Sequence, residues 1–222
     1  MRYRGNIFII MTGVLKNNCA PNNNKLFNIV IPVFGGGPPL EVMINSFLSQ
    51  TSDNFHLTIV SDGPCPDISN QINKYGGCNN ISYYELDERY NDWGHTPREF
   101  GIYTSNCKYT IMTGYDNYYV PKFIEYFESI ANGSSRVGFI FCDFITHHDR
   151  GEGDYNGHIE SRLESSWIDF GCFAAETELI KQVGLKSRNF AADWDLVNSL
   201  IPLLKQLKKD AIKINKVLYI HN

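Results

Sequence analysis

The 222-residue sequence predicts an α/β fold, with a mainly parallel sheet flanked by helices and a smaller antiparallel part in the second half. Apolar segments alternate with segments of helical spacing through residues 27–130, which is typical of right-handed crossovers between parallel strands. Three of these apolar segments end in turns that contain glycine or a carboxylate, at residues 34–37, 61–63 and 114–117. Ligands bind at that edge of an open α/β sheet, so the sequence predicts a binding site there.

The first half supplies four predicted strands separated by helices. The opening strand, residues 27–33, is rich in β-branched residues and is bounded by turn formers. Apolar residues then recur at helical spacing from Leu40 to Leu48, and Thr96 is predicted to cap a helix with Pro97 in its first turn. The predicted elements are strands at 27–33, 55–61, 80–86 and 109–113, and helices at 40–48, 67–75, 96–105 and 121–130.

The second half departs from this alternation. A long apolar strand at residues 137–144 precedes a polar segment, residues 146–164, whose Gly, Asp and His content predicts a mobile loop. The remaining predicted elements are a strand at 168–174, a short helix at 176–183 ended by Gly184, a helix that begins at Asp193, and a closing strand at 211–220.

Composition and charge narrow the classes of partner. The net charge of −4 and the isoelectric point near 5.9 disfavour nucleic-acid binding, which requires a basic patch. The six cysteines are scattered without a CxxC pair, so we expect reduced thiols and a cytoplasmic location, free or at a membrane face. No apolar segment approaches the roughly 20 residues of a membrane span, so no transmembrane segment is predicted.

Three motifs of the first half occur in a specific order. Residues 28–34 read Asn-Ile-Val-Ile-Pro-Val-Phe, residues 46–51 read Ser-Phe-Leu-Ser-Gln-Thr, and residues 58–63 read Thr-Ile-Val-Ser-Asp-Gly. This order resembles the opening of the family-two glycosyltransferases with the GT-A fold, in which a strand ends in Pro, a helix ends in Ser-x-x-x-Gln-Thr and a strand ends in Asp-Asp-Gly-Ser. Further matches lie at Gly94, Arg98, Gly101 and residues 116–121.

The resemblance implies a domain layout and a reaction. Residues 27–222 would form one glycosyltransferase domain, with a nucleotide-binding half at 27–121 and an acceptor half at 122–222. Residues 1–26 would be a leader, or an edge strand and a linker. The implied reaction moves a sugar from a nucleotide-sugar donor, with UDP preferred, to a hydroxyl of a glycan or another acceptor. The resemblance also implies inversion at the sugar and a divalent cation, Mn²⁺ or Mg²⁺.

Donor binding is assigned by the resemblance to residues near strand ends. Asp62 would accept a hydrogen bond from a uracil N–H, although Ser61 replaces the first Asp of the family's motif. Arg98, in the first turn of its predicted helix, would pair with a phosphate or brace the base. The implied nucleotide-binding residues are Pro32, Phe34, Asp62, Arg98, Tyr115 and Asp116.

The cation site is implied by Gly114-Tyr115-Asp116, which occupies the place of the family's Asp-x-Asp motif. Asp116 matches the carboxylate that contacts the metal, whereas Gly114 lacks the side chain of the first Asp. A cation bridging carboxylate and phosphates would offset the charge of the leaving diphosphate. Asn117 offers a further oxygen, and His221 matches a late histidine that completes the metal site in many GT-A enzymes.

Asp193 is the predicted general base. Inverting transfer requires a base near the acceptor hydroxyl, and the family places a Glu-Asp pair at a helix start close to the reacting carbon. Asp193 matches the second acid of that pair, and Ala192 replaces the first. Asp195 is interpreted as a helix-capping or structural acid.

Each assignment has an alternative, because Asp is also favoured in turns and at helix N-termini. The acids missing at positions 114 and 192 leave a catalytically weak or inactive nucleotide-sugar-binding module as the main alternative function. Nucleotidyl transfer is a third hypothesis, which the absence of Lys and Arg from residues 34–40 disfavours. His147 and His148 resemble a metal cluster but are interpreted as a solvated surface.

Overall fold

The computed structural model describes residues 12–17, 19–146, 157–189 and 191–222. Within these ranges the strands join into one ten-stranded sheet. The strands are β1 (Gly13–Leu15), β2 (Phe27–Val33), β3 (Phe55–Ser61), β4 (Ile81–Leu86), β5 (Tyr109–Met112), β6 (Tyr118–Tyr119), β7 (Val137–Thr146), β8 (His158–Ile159), β9 (Phe173–Glu176) and β10 (Asp210–His221). The helices are α1 (Pro38–Leu48), α2 (Pro66–Asn73), α3 (His95–Tyr103), α4 (Phe123–Gly133), α5 (Thr177–Val183) and α6 (Ala192–Gln206).

The strand order places parallel pairs at the centre of the sheet. The order is β1-β4-β3-β2-β5-β9-β7-β10-β6, and β8 pairs with β7. Strands β4, β3, β2 and β5 run parallel to one another, as do β7 and β10. Strand β9 lies antiparallel between β5 and β7, and β1 pairs antiparallel with β4 at one edge. The predicted fold class, a mainly parallel sheet with a smaller antiparallel part, is confirmed.

Burial explains why the central strands read as continuous apolar runs. Every residue of β2 and β3 is buried, as expected of parallel strands covered on both faces. The buried Asn28 amide is satisfied, since it donates to the Gly101 carbonyl (3.1 Å) and accepts from the Thr58 hydroxyl (2.6 Å). A Cβ on Gly101 would lie 2.5 Å from Cγ1 of Val30, so only glycine lets α3 pack this closely on β2.

The start of α3 differs from the prediction. Thr96 is not the capping residue, because its own backbone N–H (3.0 Å) and hydroxyl (2.6 Å) both donate to the Asp92 carboxylate. The helix begins at His95, one residue before the predicted start, after Gly94 in the left-handed region at φ 78°. Asp92 therefore supplies the acceptor that was assigned to Thr96.

The segment predicted as a strand at residues 168–174 begins instead with a 3-10 turn, Phe170–Cys172. The Asp169 carboxylate accepts from the Gly171 backbone N–H (2.7 Å), and this bond winds the chain before β9 starts. In the predicted loop of residues 146–164, the described part contains β8, which pairs with β7. Residues 147–156, with His147 and His148, lie outside the described residues.

Helix length bears on the membrane prediction. The longest helix of the described ranges, α6, has 15 residues. In those same ranges, none of the helices combines the length and the apolar composition of a bilayer span.

Candidate active site

The carboxyl ends of β2, β3 and β5 form one edge of the sheet, which we call the donor edge. The backbone N–H of Asp62 donates to the Val33 carbonyl (3.0 Å), joining the end of β3 to that of β2. Strand β5 lies on the other side of β2. The turns that carry Phe34, Asp62 and Asp116 therefore follow three neighbouring parallel strands, where open α/β sheets bind ligands.

Asp62 holds the loop that follows β4. Its carboxylate oxygens accept hydrogen bonds from the backbone N–H groups of Tyr90 (2.8 Å) and Asn91 (2.9 Å). The same loop contains two non-glycine residues with positive φ, Asn91 (53°) and Trp93 (59°). Such backbone costs about 1–3 kcal/mol per residue and persists only where neighbouring contacts impose it. Asp62 thus shapes the loop, and each of its oxygens keeps a further lone pair for a ligand N–H.

Phe34 and Pro32 lie at different depths of the donor edge. The Phe34 side chain is 52% exposed, and the Arg89 guanidinium lies 3.7 Å from the centre of its ring. Pro32 is buried and packs against Gly94, where a Cβ would lie 2.8 Å from the Pro32 Cβ. Phe34 and Arg89 together form a surface available to a flat ligand, whereas Pro32 supports the edge from below.

Asp116 borders an open cavity of about 380 Å³ at the end of β5. Its side chain is half-buried, and its Oδ1 lies 2.7 Å from the position that a Cβ on Gly114 would take. The glycine that replaces the first acid of the Asp-x-Asp motif therefore leaves room for the remaining carboxylate. The rest of the cavity is lined by Pro38, Pro39, Val42, Tyr118, Ile220 and Asn222.

The neighbours of Asp116 face the protein interior. Asn117 is buried; its amide donates to the Thr113 hydroxyl (3.0 Å) and accepts from the Asn222 backbone N–H (3.1 Å). The nitrogen and the oxygen of this amide are both engaged, and together they join Asn222 to the turn after β5. Asn117 is therefore a structural residue rather than the further metal ligand expected from the sequence. Tyr115 is half-buried and packs against the hydrophobic core.

The described part of the chain offers few ligands for a cation at Asp116. Among the residues described, no group of three or more His, Cys, Asp or Glu side chains is arranged to hold a metal ion. His221 ends β10, whose partner β6 follows Asp116, and its ring stacks 6.1 Å from that of Tyr219. A cation beside Asp116 would therefore need oxygen ligands beyond those that the described residues supply, as is usual for Mg²⁺ held by one or two carboxylates.

A second group of charged side chains, which we call the acid cluster, consists of Arg98 on α3, Asp169 before the 3-10 turn and Asp193 on α6. Burial and, second, the negative charge of Asp169 raise the pKa of Asp193 to about 6, whereas Arg98 acts in the opposite direction. The Asp193 carboxylate accepts a hydrogen bond from the backbone N–H of Trp194 (2.7 Å). A carboxylate with this pKa is ionised at pH 7 yet basic enough to accept a proton, as a general base must be.

Asp169 belongs to the acid cluster but was not among the residues predicted for the site. Its Oδ1 accepts hydrogen bonds from the Gly171 backbone N–H (2.7 Å) and the Tyr219 hydroxyl (2.8 Å). The Tyr219 ring fills the space beside Gly171, where a Cβ would lie 2.4 Å from its Cζ. The sequence carries only the Asp-x-Gly spacing of a turn at this point, so it gives no local signal of the contact with β10.

Arg98 places a cation beside both carboxylates. Its Nη1 donates to the Trp93 carbonyl (2.8 Å), and its guanidinium lies 5.1 Å from the centre of the Phe170 ring. Its Nε is buried and has no hydrogen-bond partner among the residues that the structure describes. Burial lowers the pKa of Arg98, and the charges of Asp169 and Asp193 oppose that effect. The Nε–H group of Arg98 is therefore suited to donate a hydrogen bond to an anionic or hydroxyl group of a ligand.

The segment before α6 is anchored to the start of α3. Arg188 pairs with the carboxylates of Asp92 (3.1 Å) and Glu99. The Nε2 of His95 lies 3.1 Å from the Asn189 carbonyl and donates to it. These contacts hold the N-terminal end of α6 against α3, and so bring the acid cluster together.

Comparison with known sequences finds distant relatives. A scan against protein-family models finds no match. Uncharacterized glycosyltransferases of Rickettsia typhi and Rickettsia prowazekii are each 24% identical over 188 residues, which cover 78% of this chain and 58% of those proteins. The chain therefore spans a little over half the length of the curated relatives it matches.

Comparison with solved structures concerns the fold. S. aureus TarS 1–349 in complex with UDP-GlcNAc matches with a TM-score of 0.70 at 13% identity, over 88% of this chain and 58% of that one. Mannosyltransferase PcManGT from Pyrobaculum calidifontis, in complex with GDP-Man and Mn²⁺, matches with a TM-score of 0.64 at 14% identity, over 92% and 59%. The chain has a GT-A glycosyltransferase fold. Its resemblance to the nucleotide-sugar glycosyltransferases, predicted from the sequence, is confirmed.

In this glycosyltransferase fold the predicted site residues divide into two groups. Phe34, Asp62 and Asp116 lie along the donor edge, each just after a strand. Arg98 and Asp193 lie in the acid cluster, where their charges interact.

Proposed function

We propose that this protein transfers a sugar from a nucleotide-sugar donor to a hydroxyl of a glycan or another acceptor. The observation that carries the proposal is the Asp193 carboxylate, whose pKa is raised to about 6 by burial and by Asp169, within a glycosyltransferase fold. UDP is the proposed nucleotide, since TarS structures of similar fold contain UDP and UDP-GlcNAc.

The donor is proposed to lie along the donor edge. The free lone pairs of Asp62 accept a hydrogen bond from an N–H of the base, while Phe34 and Arg89 offer a flat surface beside it. Arg98 contributes positive charge on the side of the acid cluster, where the sugar and phosphates approach. Pro32 and Tyr115 complete the proposed set by supporting the turns that carry Phe34 and Asp116.

A divalent cation, Mn²⁺ or Mg²⁺, is proposed to bind to Asp116 together with the donor diphosphate, with His221 as a second protein ligand. When bound, the cation offsets the negative charge that develops on the leaving diphosphate. Support comes from the half-buried Asp116 carboxylate beside its cavity, and from the Mn²⁺ in the mannosyltransferase of similar fold. Because the described residues supply few ligands, we expect tight cation binding only in the presence of nucleotide.

Asp193 is proposed to take the proton of the acceptor hydroxyl while that oxygen attacks the anomeric carbon. The new C–O bond forms as the bond from the sugar to the diphosphate breaks, and the diphosphate leaves with the electron pair. Attack from the face opposite the diphosphate inverts the configuration. The enzyme contributes positioning of both substrates and proton acceptance by a base of suitable pKa.

A cytoplasmic location, free or at a membrane face, is also part of the proposal. All six cysteines are free thiols in the structure. Free thiols are typical of a reducing compartment.

The proposal is tested by incubating the full chain with a panel of UDP-sugars and Mn²⁺ and measuring released UDP, alone and with candidate acceptors. We expect slow donor hydrolysis that acceptors accelerate, and that is lost in Asp116→Ala. UDP release should also be strongly reduced in Asp193→Asn, for which Asp195→Asn is the matched control, because Asp195 lies on the same helix but is assigned no part in the reaction. Absence of UDP release across the panel would contradict the proposal.

A nucleotide-sugar-binding module is the second candidate. It is favoured by Gly114 and by Ala192, which is 3% exposed at the start of α6 and supplies no carboxylate there. Stabilisation of the protein by UDP-sugars in thermal melts, without turnover across the donor and acceptor panel, would establish the module instead of the enzyme.

A further inference from the structure

We infer that Trp93 is a stacking residue for a sugar ring of the acceptor. The inference rests on the proposed function and deepens it, because it gives the acceptor a chemical class and a place to bind. It follows from the exposure of the indole ring, from the backbone that carries the ring, and from the two regions that the surrounding loop joins.

The Trp93 side chain is the most exposed large apolar side chain of the described residues, at 75%. Within the part of the chain that the structure describes, it packs against neither of the two buried apolar clusters. A tryptophan ring removes about 150–250 Å² of surface from water when it is covered. The folded chain makes little use of this surface, so it is available to a bound partner.

The backbone of Trp93 is unusual for a bulky residue. Its φ of 59° lies in the left-handed region, where a large side chain is an outlier. The Trp93 carbonyl accepts a hydrogen bond from Nη1 of Arg98 (2.8 Å), and the next residue, Gly94, lies against Pro32. Strained residues that neighbouring contacts hold in place cluster at ligand-binding sites. Because this backbone is fixed, a ligand that stacks on the ring has little chain to order.

On one side the loop of Trp93 is attached to the donor edge. The backbone N–H of Asn91, two residues before Trp93, donates to the Asp62 carboxylate (2.9 Å). On the other side of Trp93, a Cβ at Gly94 would lie 2.8 Å from the Cβ of Pro32, the residue before the last of β2. The loop therefore passes over the ends of the strands that carry the proposed donor site.

The same loop contacts the segment that precedes α6. Asp92, directly before Trp93, pairs with Arg188 (3.1 Å), and the Nε2 of His95, two residues after Trp93, donates to the Asn189 carbonyl (3.1 Å). Residues 188 and 189 lead into the helix that carries the proposed general base. Trp93 is thus bracketed by residues that join the donor edge to the side from which the acceptor hydroxyl has to approach.

A sugar ring of the acceptor fits this position better than the donor does. The donor already has proposed partners, with the base at Asp62 and Phe34 and the diphosphate at Asp116, whereas only Asp193 has been assigned to the acceptor. One face of a pyranose carries C–H groups, whose partial positive charge suits the negative face of an indole. The indole N–H of Trp93 can donate to a hydroxyl at the edge of that ring.

The first test measures binding alone. Methyl α- and β-pyranosides of glucose, galactose, mannose and N-acetylglucosamine are added to the full chain with UDP and Mn²⁺, and tryptophan fluorescence is recorded. Trp93→Phe separates the signal of this indole from those of Trp167 and Trp194. We expect at least one pyranoside to change the Trp93 signal in a saturable way. A signal that responds to UDP but to none of the pyranosides would assign the indole to the nucleotide and overturn the inference, as would a signal that responds to neither.

The second test separates the acceptor from the donor, with the pyranoside that binds best in the first test as acceptor. Trp93→Asn removes the ring and introduces a residue that tolerates the left-handed backbone, so the loop should keep its shape. We expect the acceptor concentration for half-maximal UDP release to rise about tenfold, while donor hydrolysis without acceptor is unchanged. Trp93→Phe, which keeps a smaller ring, should lie between the wild type and Trp93→Asn. Tyr103→Ala, which removes a half-exposed ring at the other end of α3, is the control and should change neither quantity.

The two rates distinguish stacking from a structural role. If Trp93 only shapes the loop, donor hydrolysis and acceptor-dependent release fall together in Trp93→Asn, and the inference is overturned. An unchanged acceptor requirement in that variant would overturn it as well. Absence of UDP release from the wild type would overturn the proposed function, whereas the fluorescence test would still decide whether the indole binds a sugar.

Discussion

The donor edge and the acid cluster bring charged side chains together in different ways. At the donor edge, Asp62 directly follows β3 and Asp116 lies in the turn after β5, and both are half-buried. In the acid cluster, Arg98, Asp169 and Asp193 come from separate segments of the chain, and burial strengthens the effect of each charge on the others. The first arrangement is the one proposed for donor binding. The second arrangement also raises the proton affinity of one of its members, the Asp193 carboxylate.

This difference determines what substitutions report. A change at the donor edge removes a ligand for the donor or its cation, so its effect should appear in binding, and in stability as well where the side chain holds a loop, as Asp62 does. A change in the acid cluster removes a charge that interacts with the neighbouring charged groups. Its effect on activity should therefore depend on pH, and the substitution should also change folding stability. The following predictions test that division.

The largest effect is expected for Asp193→Asn. Loss of the general base should lower UDP release by about 100-fold or more at pH 7.5. In the wild type the rate should fall as the pH drops through about 6, where Asp193 takes up a proton. The measurement is the rate of UDP release between pH 5 and pH 8.5, with Asp195→Asn as the control. A variant that retains wild-type turnover would remove Asp193 from the role of base.

The same substitution should stabilise the folded protein. The pKa of Asp193 is raised on folding from 3.8 to about 6, so the ionised carboxylate opposes folding fully above pH 6, and the penalty fades as the pH falls toward 4. Asn carries no charge, and the gain at pH 7.5 should be up to about 3 kcal/mol. Urea unfolding at pH 7.5 and pH 4.5 measures it. A gain of equal size at both values would contradict the assignment of the effect to this titration.

Asp116→Ala should give the next largest effect. Because the described residues offer few other cation ligands, metal-dependent UDP release should fall by about 100-fold, and removal of metal from the wild type by EDTA should have the same effect. Calorimetric titration should show Mn²⁺ binding to the wild type only when UDP is present. Tight Mn²⁺ binding without nucleotide would contradict the joint site.

The same division explains what could be predicted from the sequence. The strand-and-turn segments of the donor edge are local, so the positions of Asp62 and Asp116 follow from apolar runs and the turn residues after them. The contact between Asp169 and Tyr219 joins positions 50 residues apart, and no local pattern encodes it. The 3-10 turn before β9 has a different explanation, because its Asp-x-Gly spacing is local but the apolar residues around Asp169 favour a strand.

Asp62→Ala is expected to have a moderate effect on both stability and binding. It leaves the backbone N–H groups of Tyr90 and Asn91 without their carboxylate acceptor, which should lower the free energy of unfolding by about 1–3 kcal/mol. Release of the loop should also weaken UDP binding by about tenfold, which corresponds to the free energy of about one hydrogen bond. Asp53→Ala is the control, since its exposed pair with Lys25 should contribute less than about 1 kcal/mol. Unchanged UDP affinity would separate Asp62 from the donor site.

The smallest effect is expected for Gly114→Ala, which tests whether the glycine of the altered Asp-x-Asp motif makes room for Asp116. The new Cβ would lie 2.7 Å from Oδ1 of Asp116 and 3.1 Å from Nδ2 of Asn117. The Asn117 amide is fixed by two hydrogen bonds, so the half-buried Asp116 carboxylate has to move. The Mn²⁺ concentration for half-maximal UDP release should rise several-fold, roughly 1 kcal/mol, with little change in melting temperature. Gly133→Ala, where a Cβ meets no atom within 4 Å, is the matched control. If the Mn²⁺ concentration for half-maximal UDP release is unchanged, cation binding does not depend on the position of the Asp116 carboxylate next to Gly114.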